Sequence, residues 1–270
     1  MLHTRRLAAL HQNQGKGRRL TPNATFSIRT RMAMQQLGLF AYLTHKANLK
    51  HTRYGWLRLT PAYSVHLVQD LLSEITPHNA IILDPFCGTG TTALACAERG
   101  ISIDTTDINP FLLWLTKTKA SAYELSHLTE FRSIAHYIAR SIENWDVDDT
   151  WTPPIHQIEK WWNRDVLCIL GGMMGFIHRI SGSCSEKALD LLKIAFCRTM
   201  ITHSSASFNH QSMSFKPQNN LSLFHRAVDD VLMTWDAAVE DLYISAQSEV
   251  QTTPGIFFVR RAAIIDRPSS

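Results

Sequence analysis

Two carboxylates and two glycines stand at a spacing that suits one kind of chemistry. Asp84 closes a short apolar run and opens the segment Asp84-Pro85-Phe86-Cys87-Gly88-Thr89-Gly90-Thr91-Thr92. Asp107 follows Gly88 by 19 residues. Gly88 and Gly90 let the backbone come close to a ligand, because no side chain intervenes. An acid at the position of Asp107, ending a second strand, can accept hydrogen bonds from both hydroxyls of a ribose. Asp84 sits beside the glycine turn, where it would repel a pyrophosphate but pair with an ammonium group. An adenosine bearing an amino acid fits this pattern better than a dinucleotide does, and S-adenosyl-L-methionine is such a molecule.

These residues need elements to hold them. Ala80 to Asp84 has the composition of a buried strand. Thr91 to Arg99 reads as a short helix, with Thr91 or Thr92 at its start and Gly100 just past its end. Ile101 to Thr106 reads as a second strand, closed by Asp107. Asn109-Pro110 opens a long helix, with Pro110 in the first turn, where its missing N–H costs nothing. Upstream, Val65, Leu67, Val68, Leu71, Leu72 and Ile75 fall largely at helical spacing, and Thr60-Pro61 reads as the start of that helix. The run of strand, helix, strand and helix predicts a parallel, doubly wound α/β sheet that takes its ligand at the carboxyl ends of the strands.

The string DPFCGTGTT followed by TDINP is similar to the S-adenosyl-L-methionine motifs of site-specific DNA amino-methyltransferases, which make N4-methylcytosine or N6-methyladenine. The resemblance covers roughly Tyr54 to Lys119. It extends to Thr60-Pro61-Ala62-Tyr63, which resembles the cofactor-binding segment ahead of the glycine motif. It implies that Pro61 and Tyr63 border the cofactor. It further implies that Asp84, Pro85, Phe86, Cys87, Gly88, Gly90 and Thr91 hold the methionine end. Asp107 would hold the ribose, and Ile108 and Asn109 would lie beside the adenine. The fold implied is the Rossmann-like sheet of such enzymes.

One part of the family pattern is missing. Catalysis there uses Asp, Asn or Ser, then Pro-Pro, then an aromatic, to grip the target amine and stack on the extruded base. The nearest string is Thr152-Pro153-Pro154-Ile155, which has neither the polar first residue nor the aromatic last one. It reads as a turn leading into a helix before Gln157. The sequence therefore offers no catalytic residue. Ile256 to Ile265 reads as the third strand of the sheet, beginning near Gly255 or somewhat later, with Asp266 placed to approach the adenine amino group. Two explanations stay open: a truncated product, or one part of a split enzyme whose second chain supplies the catalytic motif.

Between the second and third strands, residues 125–250 read as a large helical insertion. Helices are expected at about 126–145, 157–170, 185–201 and 221–247. The Pro153-Pro154 turn, a glycine-rich break (Gly171, Gly172, Gly175) and a polar loop from His203 to Asn220 separate them. That loop is a candidate for DNA contact. Trp145, Trp151, Trp161 and Trp162 read as packing residues. His203 and His210 have no cysteine or carboxylate beside them, so no metal site is expected. Cys87 has no local histidine and is not read as a nucleophile.

Composition sets the frame. The chain has 270 residues, of which 45% are hydrophobic and 19% charged, and this excludes disordered and low-complexity classes. Residues 1–69 carry 11 Lys and Arg and no acid, whereas the remainder carries 16 basic and all 23 acidic residues. A basic arm on an acidic body is a footprint of polyanion binding, so Arg5, Arg6, Lys16, Arg18 and Arg19 are expected to contact double-stranded DNA. Five cysteines without a C-x-x-C pair, no signal peptide and no membrane-length apolar run point to a cytoplasmic protein. The expected organisation is a basic arm (1–50), a cofactor-binding α/β unit (51–124), the helical insertion (125–250) and a third strand (251–270). The expected activity is methylation of a DNA base amine, tied to restriction-modification. An RNA base N-methyltransferase and a non-catalytic DNA-binding subunit or remnant are the alternatives.

Overall fold

The computed structural model describes residues 52–57, 63–75, 80–144, 152–207, 214–215, 226–248 and 258–261. Pro61, Asp266, the arm residues Arg5, Arg6, Lys16, Arg18 and Arg19, and Trp145 and Trp151 lie outside them.

The described residues form a mixed α/β structure. After a 3-10 turn at Arg53–Gly55 come α1 (Val65–Ile75), β1 (Ile81–Asp84), α2 (Thr91–Ala97), β2 (Ser102–Asp107) and α3 (Pro110–Ala120). Then follow α4 (Leu125–Glu143), α5 (Arg164–Ile180), α6 (Glu186–Thr202), the short strands β3 (Ala206–Ser207) and β4 (Ser214–Phe215), α7 (Ala227–Ala246) and β5 (Phe258–Arg261). Strands β1, β2 and β5 make one parallel sheet in that order. Ile81 pairs with Ser102 and Asp84 with Thr105, while Asp104 pairs with Phe258 and Asp107 with Arg261. The strand expected near the end of the chain thus lies beside β2.

Local chemistry explains most helix starts. Asn109 caps α3 by accepting from Phe111 N–H, with Pro110 in the first turn. Asn163 and Ser185 cap α5 and α6 in the same way, through Val166 and Ala188. Besides a small group of Tyr54, Val65 and Leu94, two hydrophobic groups form. One, with Val68, Leu72, Ala93, Ala95, Cys96 and Ile103, joins α1 and α2 to the sheet. The other is far larger and unites α3 to α7 around Leu115, Phe131, Met173, Leu191 and Trp235. The Trp235 indole N–H donates to Ala135 O at 3.1 Å, so a large polar-tipped side chain is buried without loss.

Five expectations need correction. Helix α1 begins at Val65 rather than Thr60: Tyr63 sits in a β-bridge, and the first intrahelical bond runs from Val68 N to Ser64 O. The helix expected at 157–170 begins at Arg164, because Asn163 supplies the cap that Gln157 cannot. It then runs through Gly171, Gly172 and Gly175 instead of breaking there. Glycine costs about 1 kcal/mol each in a helix, and burial of Val166, Ile169, Leu170, Met173, Phe176 and Ile177 offsets it. The region read as a helical insertion also contains the antiparallel pair β3 and β4. Finally, β1 is not buried on both faces. Ile81 and Leu83 are each 68% exposed, since among the described residues β1 is an edge strand packed on one side only.

Candidate functional site

The turn between β1 and α2 is built from backbone clips to the end of β2. Cys87 N–H donates to Thr106 O at 2.9 Å, and the Thr106 hydroxyl donates to Pro85 O at 2.8 Å. Gly90 N–H closes the turn onto Cys87 O at 2.8 Å. Gly88 and Gly90 both take positive φ, +50° and +81°, where a side chain is strained.

The two glycines have different reasons to be bare. A Cβ on Gly90 would lie 2.9 Å from Thr116 Oγ1 and 3.0 Å from Thr116 Cα. Gly90 therefore lets α3 approach the turn. A Cβ on Gly88 would meet nothing nearer than Phe86 O at 4.0 Å. The open face belongs to Gly88.

Both acids are nearly buried beside this turn. The Asp84 carboxylate accepts from Phe86 N–H at 3.1 Å, and the Tyr63 hydroxyl reaches it at 3.5 Å while bonding Thr92 Oγ1 at 2.8 Å. Burial pushes the Tyr63 phenol up, so it stays a donor at neutral pH. Asp107 accepts from Gly88 N–H at 3.1 Å and from Asn109 N–H at 2.9 Å. It thereby ties the glycine turn to the start of α3. Phe86 and Ile108 flank these acids with exposed side chains, 80% and 65% accessible. Thr91 is buried at the start of α2.

Cys87 is buried, and its thiol takes a hydrogen bond from Thr116 Oγ1 at 3.3 Å. Burial pushes its pKa up, so the thiolate is disfavoured and the side chain fills space.

Sequence reasoning missed two cations. Lys119, fully buried, donates to Thr89 O (3.1 Å), Leu57 O (3.1 Å) and Tyr54 O (3.4 Å). Arg53 donates to the carbonyls of Lys119 and Ser121 at the end of α3, and to those of Ala246 and Ser248 at the end of α7. A guanidinium placed there satisfies carbonyls that the last helical turns leave over. Arg53, one of the 11 cations of residues 1–69, has a structural post. No local signal marks either residue, because their partners come from distant sequence.

The helical part carries two cavities among the described residues. One of about 290 Å³ is lined by Pro153, Ile155, Ile158, Trp162, Leu170 and Met174, among others. The second, about 420 Å³, includes Phe111, Trp114, Met174 and Phe196. Thr152-Pro153-Pro154-Ile155 therefore lies in the helical part, not at the end of a described strand. Trp162 packs on the helical core and donates to Met200 O at 2.9 Å, and Trp161 stacks beside it. His203 bonds Thr234 Oγ1 at 2.9 Å, and no cluster of metal-ligating residues occurs among the described residues. No described helix is long and apolar enough to cross a membrane.

Comparison with known proteins agrees with this turn. The model of the N6/N4 methyltransferase family, described as DNA methylase, matches residues 42–117. The type II methyltransferase M.AvaI of Nostoc sp. is 36% identical over 69 residues, which is 25% of this chain and 14% of that protein. M.MvaI of Kocuria varians is 24% identical over 181 residues, 65% of this chain and 36% of its own length. M.MjaII of Methanocaldococcus jannaschii is 33% identical over 89 residues, 33% of this chain and 17% of its own length. The chain thus spans about a third or less of the length of these curated relatives. No solved structure matches it. Through the region that carries the glycine turn and its two acids, the chain is similar to the N4/N6 amino-methyltransferase family of DNA methylases.

Proposed function

We propose that this chain binds S-adenosyl-L-methionine in a Rossmann-like α/β unit and serves the methylation of an exocyclic amine of a DNA base, N4 of cytosine or N6 of adenine. The setting would be restriction-modification, as the names of the type II relatives indicate. The chain would supply the cofactor-binding part of that activity.

The observation that carries this reading is the turn itself. The residues fit such a cofactor. Each Asp107 oxygen accepts one backbone N–H and keeps capacity for a ribose hydroxyl. Asp84 offers a carboxylate to an ammonium group beside the open face of Gly88. Phe86 and Ile108 present apolar surface to a flat ring. When bound, the cofactor supplies an electrophilic methyl group. The task of these residues is to orient it, and orientation accounts for much of the rate in a direct transfer. Tyr63, by donating to Asp84 and accepting from the Thr92 hydroxyl, would hold the acid in place.

Calorimetry with S-adenosyl-L-methionine tests the pocket. Binding by the full chain and its loss in Asp107→Ala are expected; absence of binding by the unaltered chain overturns the reading. Competition between duplex DNA and transfer RNA separates a DNA from an RNA substrate. Robust methyl transfer to mixed-sequence DNA by this chain alone would remove the need for a second chain.

A further inference from the structure

One face of α3 lies beneath the glycine turn. Thr116 donates toward Gly88 O at 3.4 Å, and Lys119, one turn on, donates to Thr89 O at 3.1 Å. The same ammonium holds Tyr54 O, within the 3-10 turn, and Leu57 O, just after it. Three carbonyls from two separate segments therefore converge on one buried nitrogen. The carbonyl and N–H of a trans peptide point opposite ways. Holding Gly88 O toward α3 thus turns the Thr89 N–H away from it. Holding Thr89 O keeps the Gly90 N–H in place on Cys87 O.

We propose that Lys119 is a positioning residue of the cofactor turn: its buried ammonium fixes the Thr89 carbonyl against the 53–57 segment, and losing that ammonium loosens the turn and weakens S-adenosyl-L-methionine binding. This rests on the reading of the turn as a cofactor site. The ammonium has three N–H donors for three acceptors, whereas a neutral amine has two donors and a lone pair. Deprotonation must release one carbonyl. Burial pushes the Lys119 pKa down to about 7, so the change falls within a range that experiments reach.

The groups facing Lys119 do not blur that transition. Arg53 donates to the Lys119 carbonyl and remains charged. The Tyr54 phenol, bonded to Glu98, and the Tyr123 phenol are both pushed up by burial, as is the Cys87 thiol in the turn. Lys117, on the same helix, faces outward to Glu186.

The test uses the full chain in two ways. In ¹⁵N-labelled protein, the amide shifts of Gly88, Thr89 and Gly90 are followed from pH 5.5 to 9. A common transition near pH 7 that disappears in Lys119→Met is expected; flat shifts overturn the proposal, and this reading needs no cofactor and no variant. Calorimetry with S-adenosyl-L-methionine is the second arm. Lys119→Met should bind at least about tenfold more weakly at pH 6.5, with Lys119→Gln between it and the unaltered chain. The unaltered chain should lose affinity as pH rises through about 7, and Lys119→Met should not. Equal affinity in the unaltered chain and Lys119→Met overturns this proposal but leaves the cofactor site standing. No binding by the unaltered chain overturns both.

Discussion

Alanine at Gly90 should cost far more than alanine at Gly88, although both glycines lie in the same turn at positive φ. Adding a side chain in the left-handed region costs roughly 1–2 kcal/mol at either place. At Gly88 that is nearly the whole cost, since the new methyl meets only Phe86 O at 4.0 Å. At Gly90 it would stand 2.9 Å from Thr116 Oγ1, 3.0 Å from Thr116 Cα and 3.2 Å from Thr116 Cβ. The hydroxyl can rotate, but Cα is backbone of α3 and cannot yield without moving the helix. Overpacking of this kind adds roughly 1–3 kcal/mol. The expected totals are therefore about 1–2 kcal/mol for Gly88→Ala and about 2–5 kcal/mol for Gly90→Ala. Urea unfolding followed by circular dichroism measures both, with unchanged m-values as the check that only stability moved. Equal losses in the two variants would refute the account of Gly90 as the point where α3 meets the turn. Cofactor binding should rank the other way: Gly88→Ala puts a methyl on the open face and should impair binding even while the protein stays folded.

Three further outcomes follow from the geometry. Arg53→Met strips partners from four carbonyls at the ends of α3 and α7 and should cost about 3 kcal/mol or more in urea unfolding. Arg53→Lys should recover only part, because an ammonium lacks the planar reach of a guanidinium. Lys119 binds its proton less tightly folded, near pH 7, than unfolded, near 10.5. Its penalty is thus fully present below pH 7 and relieved as pH rises toward about 10. The stability difference between the unaltered chain and Lys119→Met should change by up to about 1.4 kcal/mol per pH unit across that interval, and a constant difference would count against the shift. Removing residues 1–19 deletes five cations and should lower the slope of log affinity for DNA against log salt by up to about 4; an unchanged slope would show that they make no phosphate contact.

The parts of the fold legible in the sequence were those set by neighbours in the chain. Asp84 through Thr92 declares a strand, a turn and a helix within nine residues, and Asn109-Pro110 declares the next helix start. The start of α5 was misread because Pro153-Pro154 and Gln157 resemble a helix opening, while the cap that operates is Asn163. The two-residue strands β3 and β4 carry no periodicity to detect. Folding brings the Tyr63 hydroxyl to 3.5 Å from Asp84. The packing roles of Gly90, Lys119 and Arg53 were not legible for a single reason: what each touches lies 26 to 195 residues away, and only folding brings it near.

The two hydrophobic groups also divide the molecule by durability. Twenty-eight buried residues, Trp56 and Leu57 among them, form the group that holds α3 to α7 together, while six hold α1 and α2 to the sheet. Free energies of opening follow that imbalance, since local unfolding draws on the contacts it must break. The β1–α2 layer should therefore open as a unit of its own while α3, anchored through Leu115, stays folded beneath it. Its amides should exchange with solvent sooner than those of α4 to α7. A ligand gripping the turn would raise their protection by RT ln(1 + [L]/Kd) while leaving the helices unchanged. Hydrogen exchange would then report occupancy of the turn directly, as a cofactor-dependent slowing confined to the thinner layer.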